Sequence, residues 1–174
     1  MPRLKTRTPA TLDWKWVQPK STRREYELRA GGERMAGLRR VKMLGSLAEA
    51  DTGDGHWTLK RQGFLRPYVS VRRAGAEDEF AKLHFSWLGD GSLHFRDGRV
   101  YAWKRKFWTG QYLFATEKGE ELVVLNPTLA LLKVGAKVTI HPSDIDNSQL
   151  ALLAVIGWYV MLLGFDEAAA CVIT

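Results

Sequence analysis

Short runs of alternating apolar and polar residues fill the sequence from residue 11 to residue 140. In the clearest run, one face carries Leu83, Phe85 and Trp87. The opposite face carries Lys82, His84 and Ser86. This period of two is typical of strands that turn one face to a core and the other to water. Residues 122–125 are apolar throughout, which predicts a strand covered on both faces.

Glycine-containing turns separate these runs. The pairs are Gly31-Gly32, Asp54-Gly55, Asp90-Gly91, Asp97-Gly98 and Lys118-Gly119. Glycine supplies the positive φ of tight hairpin turns, and no helical periodicity is sustained before Pro142. The pattern predicts an antiparallel meander forming one mainly β domain over residues 11–174. Residues 1–10 are basic and contain two prolines, so we expect a loose tail there.

The C-terminal segment has a different pattern, because residues 150–165 are uncharged and apolar around the whole circumference of a helix. Asp144, Asp146, Asn147 and Ser148 precede it as candidate N-caps. The pattern predicts a helix at about residues 148–164, roughly 24 Å long, whereas a bilayer core of about 30 Å needs about 20 residues. Acidic flanks also favour a core helix over the alternative, a C-terminal membrane anchor.

A helix enclosed by strands makes two side-chain predictions. We expect Leu153, Ile156, Val160 and Leu163 to be nearly inaccessible. We also expect Cys171 to be buried, because cysteine just after a core helix usually acts as a small apolar residue.

An all-β run followed by residues 149–157 (QLALLAVIG) and 164–171 (GFDEAAAC) resembles the tubby C-terminal-like domain superfamily, in its compact LURP-one-related and phospholipid-scramblase-like branch. The resemblance implies a closed antiparallel β-barrel of about 12 strands around a central hydrophobic C-terminal helix. It also implies binding of phosphoinositides through paired basic residues on the barrel exterior, although no such family position is aligned with this chain.

The net charge of the chain indicates which class of partner it attracts. The net charge is +7 with an isoelectric point near 9.7, and the cations are concentrated before residue 43. Such a chain attracts polyanions, which include nucleic acid and anionic lipid surfaces. A single cysteine is typical of a reducing compartment, so we predict a cytoplasmic protein, peripheral to a membrane if lipid is the partner.

The sequence does not indicate catalysis. The histidines, His56, His84, His94 and His141, form no spacing typical of a metal site. No nucleophile motif or phosphate loop is present, and Cys171 with His141 is a weaker interpretation than a core cysteine. We therefore predict a non-enzymatic binding module without cofactor or metal.

The strongest candidate site is the basic aromatic strand at residues 101–108. One face would carry Lys104, Lys106 and Trp108. The other would carry Tyr101, Trp103, Arg105 and Phe107. Cations beside rings suit anionic lipid headgroups or phosphoinositides, with nucleic acid as the alternative ligand and a solvated barrel face as the non-functional interpretation. Arg39, Arg40 and Lys42 join the candidate site if folding brings them near.

Overall fold

The computed structural model describes residues 11–41, 45–130 and 133–172, which form twelve strands and one helix. The strands are β1 (Leu12–Val17), β2 (Glu25–Ala30), β3 (Glu33–Arg40), β4 (Ala48–Thr52), β5 (Gly55–Gln62), β6 (Tyr68–Arg73), β7 (Ala81–Phe85), β8 (Gly91–Phe95), β9 (Val100–Lys106), β10 (Gln111–Thr116), β11 (Glu121–Ala130) and β12 (Lys133–Ile140). The helix is α1 (Asn147–Val172). Each strand pairs antiparallel with its neighbours in sequence, and β1 pairs with β12 to close a barrel. The predicted fold class is confirmed.

Alternation along the strands produces the barrel interior. Leu83 and Leu93 are fully buried across the β7–β8 pair, while Lys82 and His94 lie opposite each other on the outer face. The predicted glycine turns all lie at hairpin connections, and Gly31 and Gly98 have φ values of 59° and 91°. Only glycine adopts that region without strain.

The all-apolar stretch at 122–125 is buried on both faces, as predicted. Val123 and Leu125 belong to the main core inside the barrel. Val124 packs with Leu113 and Ala115 of β10 in a second, separate cluster. Two apolar clusters on opposite sides of one strand explain why its sequence does not alternate.

Helix α1 begins at a clear N-cap. The Oδ1 atom of Asp146 accepts a hydrogen bond from the backbone N–H of Gln149 at 2.9 Å, and the Gln149 side chain donates to the Tyr101 hydroxyl at 2.8 Å. Residues 150–159, apart from Gly157, form the centre of the core. Among the described residues one helix, 147–171, has the length and composition to cross a membrane, and 67% of its most apolar stretch is buried inside the barrel.

The helix is longer than predicted, because nothing after Gly164 breaks it and the alanines that follow favour helix. Leu153 and Ile156 are fully buried, as expected, but Val160 and Leu163 are only half-buried where the helix leaves the barrel. The prediction for Cys171 was wrong, since it lies on the protruding last turns and is exposed. The predicted tail at residues 1–10 lies outside the described residues.

Close packing inside the barrel centres on Gly157. A Cβ atom at this position would lie 3.0 Å from both Leu125 Cδ1 and Trp103 Cζ3. One residue further on, the Trp158 ring stacks on Trp16 with centroids 5.9 Å apart. The glycine therefore allows the helix to approach the barrel wall at this level.

Candidate functional site

The barrel has two chemically different ends. Because consecutive strands run antiparallel, every connection from an odd-numbered to the next even-numbered strand lies at one end. Helix α1 also leaves the barrel there, as Asp166 contacts Arg40 at the end of β3 and Glu167 contacts Arg61 near the end of β5. We call this end, formed by the six odd-to-even connections and residues 160–172, the aromatic end.

Large apolar side chains project from three neighbouring connections at the aromatic end. The exposed residues are Phe64 and Leu65 (β5–β6), Trp87 and Leu88 (β7–β8), and Phe107 and Trp108 (β9–β10). Trp87 and Trp108 have relative exposures of 105% and 102%, so their rings make almost no contact with the rest of the chain. Several large apolar side chains exposed at one end of a barrel are unusual for an isolated monomer, so this end is the candidate contact surface.

The opposite end, formed by the even-to-odd connections and the segment before α1, is acidic. Its connecting segments contain Asp54, Glu77, Asp78, Glu79, Asp97, Glu117, Glu120, Asp144 and Asp146. Three cations lie among them, Arg96, Arg99 and Lys118, of which Arg96 and Arg99 are ion-paired to Asp78 and Asp97. Among the described residues, the connections at the aromatic end contain Lys20, Arg23, Arg24 and Arg66, with Asp90 as the one acidic residue. The end of α1 adds Asp166 and Glu167, which are paired with Arg40 and Arg61. The barrel is therefore polarised along its axis.

The basic aromatic strand contributes to the aromatic end, although its geometry differs from the prediction. Strand β9 ends at Lys106, so Phe107 and Trp108 lie in the turn and do not alternate with the strand. Trp103 is buried in the core and stacks on Tyr112. Arg105 was predicted on the same face as Trp103, but unlike Trp103 it is exposed, and it lies over the rings of Phe107 and Tyr112, 5.2 and 5.4 Å from their centroids.

The two predicted lysines differ in their partners. Lys106 Nζ lies 2.5 Å from the Glu121 carboxylate, so its charge is already neutralised. Lys104 is exposed and has no ion-pair partner in the described part of the chain. Lys20 and Arg66, in two other connections at this end, are likewise exposed and unpaired among the described residues. Lys104 is therefore the lysine of the pair whose charge remains available to a ligand.

The other predicted cations that the structure describes, Arg39 and Arg40, are not among the exposed and unpaired cations of the aromatic end. Arg39 is exposed but paired to Glu49 at 2.5 Å. Arg40 points into the barrel mouth with a side chain only 4% exposed, because the strand period places it on the inner face with Ala36 and Leu38. Arg40 therefore does not share a solvent-facing surface with Lys104, and its role in binding an anion stays a prediction. Lys42 lies outside the described residues.

A groove of about 450 Å³ lies on the outer face of β2, β3 and β4, and most of its charges are internally paired. Arg34 forms two hydrogen bonds to the Asp51 carboxylate across Gly37, where a Cβ atom would collide with the guanidinium. These hydrogen bonds lower the pKa of Asp51 from its ordinary value of 3.8. Most charges of the groove are therefore in ion pairs, and Lys20, which also lines it, has no ion-pair partner among the described residues.

The aromatic end is held firmly beneath its loops. The Tyr159 hydroxyl donates to the Ser46 carbonyl oxygen at 2.5 Å and accepts from the Arg61 backbone N–H at 3.0 Å, which ties α1 to the β3–β4 connection and to β5. Burial raises the pKa of Tyr159. The loops therefore project from a rigid rim.

Sequence reasoning missed Phe64, Leu65 and Leu88, and it placed Trp87 in the core. A signal was present: Phe64 and Leu65 lie between Gly63 and Pro67, in a turn where polar residues are usual. Apolar pairs at turn positions indicate an exposed contact surface.

No family model, characterised protein or solved structure matched the chain in our comparisons. Within residues 11–41, 45–130 and 133–172, no group of three or more His, Cys, Asp or Glu side chains is arranged to hold a metal ion.

Proposed function

We propose that this protein is a non-enzymatic module that binds the surface of an anionic lipid bilayer through its aromatic end. The observation that carries the proposal is the position of the exposed rings. Trp87, Phe107 and Trp108 project from neighbouring turns at the end where Lys104 and Arg66 have no ion-pair partner within the described part of the chain. Trp at an interface between apolar and aqueous phases is favourable, because its ring is apolar and its N–H is polar.

Charge supports lipid over a protein partner. The apolar residues lie on separate turn tips, with Arg66 in one of these turns and Lys104 on the strand that leads into another. This distribution suits insertion between headgroups better than a flat protein interface. Each Lys or Arg near an anionic surface contributes roughly 1 kcal/mol. The acidic turns at the opposite end would be repelled by the same surface, so charge favours one orientation with the barrel axis along the membrane normal.

The architecture also supports our inference that the chain belongs to the tubby C-terminal-like superfamily, since twelve strands close around an apolar C-terminal helix. We further propose a cytoplasmic location, where anionic lipid is concentrated in the facing leaflet.

Vesicle flotation tests the proposal directly. Parent protein should float with vesicles of phosphatidylcholine and phosphatidylserine, bind pure phosphatidylcholine far more weakly, and release as salt shortens the screening length to about 8 Å at 0.15 M. Lys104→Glu should weaken binding by about tenfold or more, because it replaces one attraction of roughly 1 kcal/mol by a repulsion. Lys118→Glu makes the same charge change at the acidic end and should have no effect.

Three results would contradict the proposal. Equal losses for the two lysine variants would show only a dependence on net charge. A single-stranded oligonucleotide that displaces protein from vesicles at lower concentration than soluble lipid headgroup would favour nucleic acid. Self-association that buries Trp87 and Trp108 in the absence of lipid would assign the aromatic end to a second copy of the chain.

A further inference from the structure

A cavity of about 260 Å³ opens at the aromatic end, between the β1–β2 connection and the last turns of α1. It is several times larger than the volume of about 30 Å³ that one water occupies in the liquid. Arg24 and Asp166 lie at its edge, Arg40 lies in its wall, and Ser21 and Tyr26 add two hydroxyl groups to its lining.

Two guanidinium groups in this cavity share one carboxylate oxygen. Nη1 of Arg40 lies 3.1 Å from Asp166 Oδ2, and Nη1 of Arg24 lies 3.4 Å from the same atom. A single negative charge therefore faces two positive charges. The acidic residue next in sequence, Glu167, is paired with Arg61 outside the cavity.

Arg40 is a buried cation with an incomplete set of partners. Its Nη2 donates to the Gly45 carbonyl oxygen at 2.8 Å, but its buried Nε has no hydrogen-bond partner among the described residues. Buried charges are normally fully paired and hydrogen-bonded, because each missing partner leaves a desolvated group uncompensated. The cavity therefore has an excess positive charge, and the Arg40 guanidinium in its wall has an unsatisfied donor, Nε, which lies beneath the cavity surface.

We infer that this cavity is a binding site for a phosphate group, which would take the position now held by the Asp166 carboxylate. A phosphate carries more charge and more acceptor oxygens than a carboxylate, and guanidinium groups bind it through paired hydrogen bonds. Asp166 is already 42% exposed and can turn to water when the phosphate enters. In this arrangement Asp166 is an internal competitor that sets the affinity of the site.

The phosphate has two possible sources, a free phosphate in solution or the headgroup of a lipid. The lipid source rests on the proposed function, because the cavity lies at the end that would face the bilayer. The free source does not depend on membrane binding.

Calorimetric titration with inorganic phosphate tests the site without a membrane. Asp166→Asn removes the competitor and should tighten phosphate binding by at least about tenfold, the factor given by 1.4 kcal/mol. Glu167→Gln removes the same charge one residue away and should leave the affinity unchanged. Arg24→Gln should weaken binding by about tenfold, whereas Arg23→Gln, whose partner Glu25 lies 3.9 Å away, should not.

If Asp166→Asn folds poorly, the comparison of Arg24→Gln with Arg23→Gln still tests the inference. Absence of phosphate binding in both the parent and Asp166→Asn would overturn the inference, as would equal effects of the two acidic variants or of the two arginine variants.

Vesicles of phosphatidylcholine with phosphatidic acid then distinguish the sources. Tighter vesicle binding by Asp166→Asn but not by Glu167→Gln supports a lipid headgroup in the cavity. If Asp166→Asn binds inorganic phosphate more tightly than the parent but binds the vesicles equally well, the result supports free phosphate as the ligand. If neither the parent nor Asp166→Asn binds inorganic phosphate, this inference is wrong. If vesicle binding still depends on Trp87 and Trp108 in that case, the proposed function remains supported.

Discussion

Replacing Trp87 and Trp108 by alanine, singly and together, removes the two most exposed rings of the aromatic end. Both side chains are fully exposed, so their loss creates no cavity and should leave the stability of the barrel unchanged. Any loss of vesicle binding can then be assigned to the contact surface.

The size of the effect follows from the area available for burial. A Trp side chain can bury about 200 Å², which corresponds to about 5 kcal/mol at about 25 cal/mol per Å² for complete transfer from water. A ring at the headgroup boundary loses only part of its hydration, and one third of that area gives about 1.7 kcal/mol, somewhat more than tenfold in affinity. The rings lie on separate connections, so their contributions should add to about 3.4 kcal/mol, and the double variant should lose about three-hundredfold in affinity.

The parent protein carries its own reporters for this contact. The other five tryptophans, Trp14, Trp16, Trp57, Trp103 and Trp158, are no more than 4% exposed. Vesicle binding should therefore shift the emission of Trp87 and Trp108 to shorter wavelength and protect them from iodide. Brominated lipid should quench the same two residues, and their removal should abolish the quenching.

Leu12→Ala is the matched control, because Leu12 is an exposed apolar residue at the opposite end of the barrel. Its affinity for vesicles should equal that of the parent. Unchanged binding by the double tryptophan variant, or an equal loss in Leu12→Ala, would refute insertion of the aromatic end.

Two further predictions concern stability. Gly164→Ala should raise the free energy of unfolding by about 0.5–1 kcal/mol, since nothing lies within 4 Å of the new Cβ. Gly157→Ala should lower the same quantity by about 1–3 kcal/mol through contact with Leu125 and Trp103; equal denaturant midpoints for the two variants would contradict the close packing of α1. Because the pKa of Asp51 is lowered by Arg34, its ionised form stabilises the fold above pH 3.8, and this contribution is lost as the pH falls below that value. Urea titrations should show a shallower loss below about pH 4 in Arg34→Gln than in the parent, and identical pH profiles would contradict this.

The fold was largely predictable, because burial imposes a period on the sequence. Lys82 and Leu83 must point to opposite faces, and residues 150–159 are apolar on every side, so a sheet closed around a helix was the simplest arrangement. The helix end was less predictable. Beyond Gly164 the chain leaves the core, and exposure rather than composition determines the environment of Cys171.

The candidate site was only partly predictable, since it depends on where strands end. Trp87 and Trp108 continue the alternation of their strands in sequence, yet each lies just past the last paired residue. Arg40 was misplaced for a related reason: the sequence shows a cation but not that Asp166, 126 positions further along the chain, comes within 3.1 Å of it. An ion pair between residues so far apart in the sequence leaves no recognisable pattern in the residues around either partner.

Because α1 follows all twelve strands in the sequence, its position affects how the barrel folds during synthesis. All twelve strands leave the ribosome before the segment on which their inner faces pack, and β1 must wait for β12 before the sheet can close. Apolar side chains such as Trp16 and Leu28 therefore have no completed core while the chain is growing. Contacts between such distant segments form slowly, and open strand edges are prone to aggregation in the meantime. Productive folding of this barrel consequently requires the unfinished sheet to stay free of other contacts until α1 has been synthesised.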